Sequence, residues 1–361
     1  MTEKTTSPKS FDPPQPIDPY YAIGLQTRIE AINHCQNRKQ AQQVMMGALE
    51  RLAAEIANTK KFIGEDVRLI VLPEYFLSSY PMGESVDEWA QKACLTQDAP
   101  EYKQLCKIAQ ENNLFLSGNL YELDKHFDGL YFQTSFIIDP KGEVILRYRR
   151  LNSMFAPTPH DVWDKYLSIY GLDGVFPVAR TPIGQLACIA SEEILYPEIA
   201  RALAMRGAEV FLHATGEIAS PIDTKKVIAK KARAVENMAY LISANAGGIK
   251  NHVIPESATD GRSMIVDYRG MVLAESGWGE TMTAHAIIDM TALRQARRRP
   301  GMSNYLSRQR LQAFADTYSQ LASQPANSLL RGDKHIVPTR AHFKKAQTDA
   351  LHWLIKNKII M

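Results

Sequence analysis

Cysteine is scarce in this sequence and is not arranged in pairs. The four cysteines among the 361 residues, Cys35, Cys94, Cys106 and Cys188, are scattered without a CxxC pair or a regular spacing. Disulfide frameworks and structural zinc sites both depend on such arrangements. The sequence therefore predicts neither, and free thiols suit the reducing environment of the cytoplasm.

Long apolar runs and an excess of one charge are also missing. No stretch approaches the roughly 18 to 20 apolar residues of a membrane span, and the N-terminal sequence MTEKTTSPKSFDPPQPIDP has no apolar segment suited to a signal peptide. The 42 basic and 39 acidic residues leave a net charge of +3. This charge is too small to indicate a nucleic-acid or membrane-surface partner, and we expect neither.

The composition that is present is that of an ordinary globular protein. Hydrophobic residues make up 45% of the chain and charged residues 22%, which excludes general disorder and supports a sizeable core. Residues 1–19 are the exception, because their Pro, Ser, Thr and Lys content predicts a flexible or draped arm. Folding is expected to begin near Tyr20.

The apolar pattern predicts alternating strands and helices. Short apolar runs rich in β-branched residues predict buried strands at 67–72, 114–118, 135–139, 186–190, 210–214, 241–245, 263–267 and 284–289. Apolar residues at three- and four-residue steps predict helices at 38–59, 101–112, 197–206, 224–240, 305–320 and 341–356. Turn residues at 139–142 and 267–270 predict two hairpins.

This order of elements indicates a layered α/β domain over residues 20–300. The composition changes after the Arg-rich segment that ends at Pro300. Residues 301–361 therefore predict a helical C-terminal extension, which packs on the domain or on another subunit.

Several segments resemble, in the right order, those of the nitrilase (carbon–nitrogen hydrolase) superfamily. LPEYF around Glu74 resembles the segment that carries the family's general base, and SFIIDPKGEVILRYRR, ending at Arg150, resembles the hairpin that leads to its catalytic lysine. IGQLACIASEEILYPEIARALAMRGAEVFLHA, which contains Ser191, is similar to the segment that delivers the nucleophilic cysteine. RAVENMAYLISAN and GRSMIVDYRGMVL are similar to the segments that follow.

The resemblance covers roughly residues 20–300 and implies a fold, an assembly and a chemistry. The implied fold is the four-layer αββα sandwich of the superfamily, and the implied assembly is a homodimer or larger homo-oligomer. In the family's reaction a carboxylate deprotonates a thiol, the thiolate attacks a nitrile or amide carbon, and a lysine stabilises the developing charge. The corresponding positions are Glu74 for the base, Arg150 for the lysine and Ser191 for the cysteine.

Two of these three identities depart from the family pattern. A serine hydroxyl is far less acidic than a thiol, so a lone carboxylate is a poor base for it. Arginine keeps the positive charge but is essentially never deprotonated, so it cannot exchange protons with a leaving amine. A second family acid, eight residues after the lysine, is replaced by Thr158, and His160 or Asp161 is the candidate substitute.

Further positions near these segments are candidates for binding a substrate. They are Tyr75, Glu192, Glu193, His213 and Thr215. A hydrogen-bonded brace of the backbone is an alternative role for Glu193, and Cys188 is expected to be a packed core thiol, not a displaced nucleophile. Gln133 replaces an asparagine that usually precedes the family's hairpin.

Two functional hypotheses remain open from the sequence. The first is a hydrolase of a small amide, carbamoyl compound or related acyl substrate that uses Glu74, Arg150 and Ser191 and requires no metal or organic cofactor. The second is a catalytically inactive homologue that binds a small polar ligand or acts as a regulatory or assembly subunit. Both hypotheses predict that these three side chains converge in one concave pocket.

Overall fold

A computed structural model describes residues 16–218, 220, 222–259, 261–321, 323–332 and 334–361. Most of the predicted arm, residues 1–15, lies outside the described residues. The helices are α1 (Arg38–Ile63), α2 (Val86–Ala93), α3 (Pro100–Glu111), α4 (Trp163–Tyr170), α5 (Pro197–Met205), α6 (Lys225–Glu236), α7 (Met290–Arg298), α8 (Tyr305–Arg308), α9 (Gln312–Ser319) and α10 (Arg340–Lys356).

The strands begin at Tyr20, as the sequence predicts. They are β1 (Tyr20–Gly24), β2 (Ile29–Glu30), β3 (Val67–Val71), β4 (Phe115–Leu123), β5 (Tyr131–Ile138), β6 (Val144–Arg149), β7 (Ala179–Thr181), β8 (Gly184–Ala190), β9 (Val210–Ala214), β10 (Tyr240–Ala244), β11 (Ile249–Lys250), β12 (Met264–Val266), β13 (Val272–Glu275), β14 (His285–Ile288), β15 (Leu330–Arg331) and β16 (Lys334–His335). The predicted hairpin turns at 139–142 and 267–270 join β5 to β6 and β12 to β13.

Two six-stranded mixed sheets form the centre of the molecule. The first has the order β14-β1-β3-β4-β5-β6 and the second the order β13-β12-β10-β9-β8-β7. Strands β1, β3 and β4 run parallel in the first sheet, and β8, β9 and β10 run parallel in the second. The carboxyl ends of the parallel strands in each sheet therefore lie along one edge.

The two sheets pack face to face between layers of helices. One apolar cluster contains Leu69 and Ile137 of the first sheet together with Phe211 and Ile242 of the second. A second cluster joins the outer face of the first sheet to α1, α2 and α3, while α5 and α6 cover the outer face of the second sheet. The expected four-layer αββα sandwich is thus confirmed.

One helix prediction is wrong. The sequence pattern predicts a single helix over 305–320, but the structure contains two short helices, α8 and α9, with Gln309 extended between them. Neither helix buries a residue, and Phe314 and Tyr318 are about half exposed. Without a buried apolar face, tertiary packing does not hold a longer helix together.

The C-terminal extension packs against the domain of its own chain. Leu329 is buried in a small apolar cluster with Phe127 and Val162, and its backbone N–H donates to the Asp161 carbonyl at 2.9 Å. The Asp161 carboxylate caps the short turn that begins after Thr158 and also accepts a hydrogen bond of 2.6 Å from the Ser328 hydroxyl. No described helix is long and apolar enough to cross a membrane.

We expect Asp161→Ala to loosen the extension. The substitution removes a cap and the Ser328 hydrogen bond, an effect of about 1 kcal/mol, which corresponds to a roughly fivefold larger open fraction. Limited trypsin digestion of residues 297–331 should accelerate to the same extent. The control is Asp164→Ala, which removes an exposed carboxylate from the first turn of α4 and keeps the backbone N–H that donates to Asn327. Equal digestion of both variants would contradict the prediction.

Candidate functional site

The site lies where the carboxyl ends of strands from both sheets meet. Glu74 follows β3 of the first sheet, whereas Ser191 and Thr215 directly follow β8 and β9 of the second. The backbone N–H of Glu74 donates to the Thr215 carbonyl at 3.2 Å, which joins the two strand ends. Ligands of α/β proteins commonly bind at this edge of a parallel sheet.

Glu74 is the buried centre of a polar network. Its side chain is almost completely buried, and Oε1 accepts a hydrogen bond of 2.7 Å from Gln133 Nε2. The guanidinium of Arg150 lies 3.5 Å from the same oxygen and donates to Gln133 Oε1 at 2.8 Å. The structure therefore brings two of the predicted residues, Glu74 and Arg150, into direct contact, with Gln133 bridging them.

The remaining donors of Arg150 point away from Glu74. Nη2 donates to Glu192 Oε2 at 3.0 Å, and Nε donates to the Asn152 carbonyl. Burial alone would lower the pKa of Arg150, but Tyr75, Glu74 and the neighbouring acids outweigh burial and raise it. Arg150 is therefore a permanently charged group that four acceptors hold in place.

Ser191 lies at a strained turn. It follows β8 directly, its φ of 47° is in the left-handed region, and its side chain is buried. The ring of His213 supports the turn, because Nε2 donates to the Ser191 carbonyl at 2.8 Å while Nδ1 accepts from the Ser243 hydroxyl at 2.9 Å. Burial lowers the pKa of His213 to about 3, so the ring is neutral at physiological pH. Strained residues of this kind often occur at functional sites.

The side chain nearest to the Ser191 hydroxyl is a lysine that the sequence analysis missed. Lys226 stands in the first turn of α6, which Thr224 caps by accepting from the Val227 backbone N–H at 3.3 Å. Its Nζ lies 3.2 Å from Ser191 Oγ and 3.2 Å from Thr215 Oγ1. The predicted convergence of the three side chains is therefore found only in part. Glu74 and Arg150 are in contact, whereas Ser191 is hydrogen-bonded to neither and is linked to them by the electrostatic interaction of Lys226 with both residues.

The surroundings of Lys226 disfavour its charged form. Lys226 is partly buried, and this desolvation is the main reason why the pKa of its ammonium is lowered. The charges of Lys230 and Arg150 add to the effect, and the carboxylates of Glu74 and Glu217 oppose it. The positive end of the α6 dipole also disfavours a cation in the first helical turn. A lysine in this environment has a larger neutral fraction than one in water.

A second buried ion pair lies behind Lys226. Lys230, one helical turn further along α6, contacts Glu217 at 2.6 Å, and both side chains are buried. Although burial opposes it, the Lys230 charge lowers the pKa of Glu217 to about 2. The Thr215 hydroxyl donates to Glu217 at 3.3 Å, which leaves the Thr215 oxygen oriented toward Lys226.

The predicted binding residues Glu192 and Glu193 differ in how far their side chains are buried. Glu192 is 42% exposed at its side chain and holds Arg150. Glu193 is fully buried, and its carboxylate accepts from the backbone N–H groups of Leu151 and Asn152 at 2.8 and 2.9 Å and from the Tyr148 hydroxyl at 2.6 Å, the geometry of a backbone brace.

Tyr75 stacks on Tyr121 with ring centroids 4.8 Å apart. Burial, followed by the Glu74 charge, raises the pKa of the Tyr75 phenol. The substrate-binding roles of Tyr75, Thr215 and the other candidates stay predictions.

Three further sequence candidates lie apart from the network. Asp161 uses its carboxylate to cap its own turn and to hold Ser328, and His160 lines a neighbouring cavity. Cys188 is completely buried with Sγ 3.7 Å from Ser117 Oγ, and burial raises the pKa of its thiol to about 12. Within the described ranges, no three His, Cys, Asp or Glu side chains are grouped so that they could hold a metal ion.

A large cavity adjoins the site on the side of Glu192. Its volume is about 790 Å³, and it lies between residues 151–163 of the domain and helix α10 of the extension. Glu192 and Asn152, both in contact with Arg150, form part of its wall. The volume is within the range of small-molecule sites, which is roughly 300 to 1,000 Å³.

One feature of the sequence could have pointed to Lys226. The first turn of α6 contains Lys225 and Lys226 and no acidic residue. Two cations at this end oppose the helix dipole. A lysine placed against this electrostatic preference is a candidate for a functional group, although the pattern does not indicate which residue it contacts.

Comparisons with known proteins agree with this architecture. The family model for carbon–nitrogen hydrolases matches residues 30–298. A hydrolase of Pseudomonas protegens is 29% identical over 253 residues, which cover 70% of this chain and 81% of the relative. Formamidases of Helicobacter acinonychis and Bacillus cereus are 26% and 29% identical over 66% and 50% of this chain. These matches span 65% and 51% of the two formamidases' lengths.

Solved structures show the same fold at low sequence identity. A carbon–nitrogen hydrolase of Helicobacter pylori has a TM-score of 0.61 and 21% identity, covering 83% of this chain and 98% of that one. An amidase from Nesterenkonia sp. has a TM-score of 0.56 and 19% identity, covering 84% of this chain and 97% of that one. Since the family model matches well over half of the residues, this chain belongs to the carbon–nitrogen hydrolase family.

Proposed function

We propose that this protein hydrolyses a small amide, carbamoyl compound or related acyl substrate, with Ser191 as nucleophile and Lys226 as its base. Membership of the carbon–nitrogen hydrolase family and the formamidases and amidase among its relatives support the reaction class. The observation that carries the proposal is the 3.2 Å separation between Lys226 Nζ and Ser191 Oγ.

The lysine supplies what a serine at the cysteine position lacks. A carboxylate such as Glu74 is a poor base for a hydroxyl, and Arg150 does not release a proton. A neutral amine is a far stronger base than a carboxylate, and desolvation of a lysine increases its neutral fraction. Lys226 meets both requirements, because burial lowers its pKa and its Nζ is within hydrogen-bonding distance of the Ser191 hydroxyl.

The reaction then proceeds in two balanced steps. The Lys226 amine takes the proton of Ser191 Oγ as this oxygen bonds to the substrate carbonyl carbon; the C–N bond then breaks, and the departing nitrogen receives the proton from the Lys226 ammonium. In the second step a water molecule transfers a proton to Lys226 and adds to the acyl carbon. The bond to Ser191 Oγ breaks, the proton returns to Oγ, and the carboxylic acid leaves.

Arg150 and Glu74 serve this reaction through charge. Arg150 is a fixed cation beside Glu192 and within electrostatic range of Lys226, so it is suited to stabilising an oxyanion or holding a substrate carboxylate. Glu74 balances that charge and raises the pKa of Lys226, which opposes the effect of burial. In this proposal Glu74 tunes Lys226 and does not itself deprotonate Ser191.

The second candidate is a non-catalytic homologue that binds a small polar ligand. The arrangement of Arg150 favours it, because the guanidinium already donates to Gln133, Glu192 and Asn152 and lies against Glu74. A cation with this many protein partners must reorganise before it can bind a developing oxyanion. Covalent labelling of Ser191 distinguishes the two candidates.

We predict that Lys226→Met strongly slows acylation of Ser191. The intact protein is incubated with p-nitrophenyl acetate and with a panel of small amides, and its mass is measured over time. The native chain should gain an acyl group that Ser191→Ala does not acquire, and Lys226→Met should react at least about a hundredfold more slowly, the usual contribution of a general base.

Lys225→Met is the matched control, since it removes an exposed lysine from the same helical turn and should react like the native chain. Unchanged acylation in Lys226→Met would exclude this lysine as the base. The absence of any adduct on the native chain would favour the binding protein.

The pH dependence of acylation tests the role of Glu74. The rate should rise with pH as Lys226 loses its proton, with a midpoint below the ordinary lysine value of 10.5. Glu74 stabilises the ammonium form, so Glu74→Gln should move the midpoint to lower pH even if the maximal rate falls. Glu143→Gln, in an exposed turn, should leave it unchanged; an upward shift in Glu74→Gln would contradict the assignment.

A further inference from the structure

The cavity beside Glu192 has two walls of different origin. Met154, Trp163 and Phe176 belong to the domain, whereas Phe343, Ala346 and Leu354 belong to the extension. The family match ends at residue 298, so the second wall lies outside the part of the chain that matches the family model. The shape of this cavity therefore depends on the C-terminal extension as well as on the domain.

The extension is attached firmly enough to form a wall. Gln347 Nε2 donates to the Met154 carbonyl at 3.0 Å, and the Arg340 guanidinium lies 4.4 Å from the Phe155 ring centroid. Phe343 is 7% exposed and belongs to the apolar cluster that also contains α1 and the first sheet. Helix α10 therefore forms one side of the cavity while it packs against the core.

The lining mixes polar and aromatic side chains, and part of its aromatic surface is exposed. Trp163, Phe176, Tyr196 and Phe343 provide four aromatic side chains, and Tyr196 remains 41% exposed while it faces the cavity. Aromatic rings gain from edge and offset contacts with another ring beyond the area they bury. The available surface is thus suited to a flat apolar group that also meets polar side chains, among them His160.

The cavity lies next to the position of the proposed nucleophile, although Ser191 itself does not line it. Glu192, which lines the cavity, is the residue directly after Ser191, and consecutive Cα atoms are about 3.8 Å apart. Asn152, also in the wall, accepts from Arg150. A substrate whose amide lies at Ser191 and whose arm passes Glu192 would reach this space, which is far larger than a one-carbon amide requires.

We propose that the cavity is a specificity site for an aromatic arm, so that the substrate class is an aryl-substituted amide. The inference rests on the proposed function for the position of the amide, but the recognition of the ring is a binding property. It is testable in protein that performs no chemistry.

The experiment measures equilibrium binding by calorimetry to full-length Ser191→Ala, which keeps bound amides intact. The probes are three amides. Acetamide has no ring, phenylacetamide has a ring on the acyl side of the amide, and N-phenylacetamide has a ring on the nitrogen. We expect one of the ring-bearing amides to bind about tenfold or more tightly than acetamide, a typical discrimination for an added apolar group in a pocket.

Filling the cavity from α10 should remove this preference. Ala346→Phe and Ala350→Met, each in the Ser191→Ala background, should bring the affinity ratio of ring-bearing amide to acetamide toward one. Lys344→Phe adds the same ring to an exposed position of α10 outside the cavity lining and should keep the ratio. The two variants fill the cavity at different positions of α10, and circular dichroism checks that each keeps its helix content. Loss of the preference in both folded variants therefore indicates a filled cavity and not a displaced helix.

The outcomes separate this inference from the proposed function. Equal affinities for all three amides, or a ratio that survives both folded filling variants, would overturn the aromatic site. A ring-dependent affinity lost on filling supports the site even if the native chain forms no acyl adduct, in which case only the hydrolase proposal fails. Acylation of Ser191 without any preference for a ring would support the hydrolase proposal and overturn the aromatic site.

Discussion

Face-to-face packing of the two sheets is the constraint on which the candidate site depends. Each sheet has one apolar face buried against the other, and this burial determines how the sheets are placed. It brings the loop after β3 of one sheet against the loop after β9 of the other, where the Glu74 backbone donates to Thr215. Residues separated by more than a hundred positions in sequence thereby become neighbours, and the interior between the layers supplies the low dielectric in which they interact.

Buried charges must be paired in that low dielectric, and the pairs hold the charged side chains of the site in fixed positions. Arg150 lies against Glu74, and Lys230 contacts Glu217 at 2.6 Å. An unpaired charge at these depths would be strongly destabilising. Lys226 differs from both cations, because its Nζ lies between the hydroxyls of Ser191 and Thr215. Of these three cations it is the one suited to exchange a proton.

The sequence patterns predicted the structure correctly where neighbouring residues alone decide it, as in strands and tight turns. The apolar runs located the central strands, the turn at 139–142 located a hairpin, and the order of the family segments identified the fold. The pattern failed over 305–320, where helical spacing occurs without a buried face. It also did not show what Lys226 contacts, because a lysine in a polar helical turn looks the same whether it faces solvent or a buried hydroxyl.

The sequence by itself determined the layered α/β architecture, the family and the positions of Glu74, Arg150 and Ser191 at the ends of strands, because strand periodicity and strand-end position are local properties. Only the tertiary structure decided which groups these residues meet. The contact between Lys226 and Ser191 depends on the packing of α6 over the second sheet, and the wall of the neighbouring cavity depends on where α10 docks. Both contacts join segments distant in sequence, and such contacts are selected by shape and burial over the whole domain.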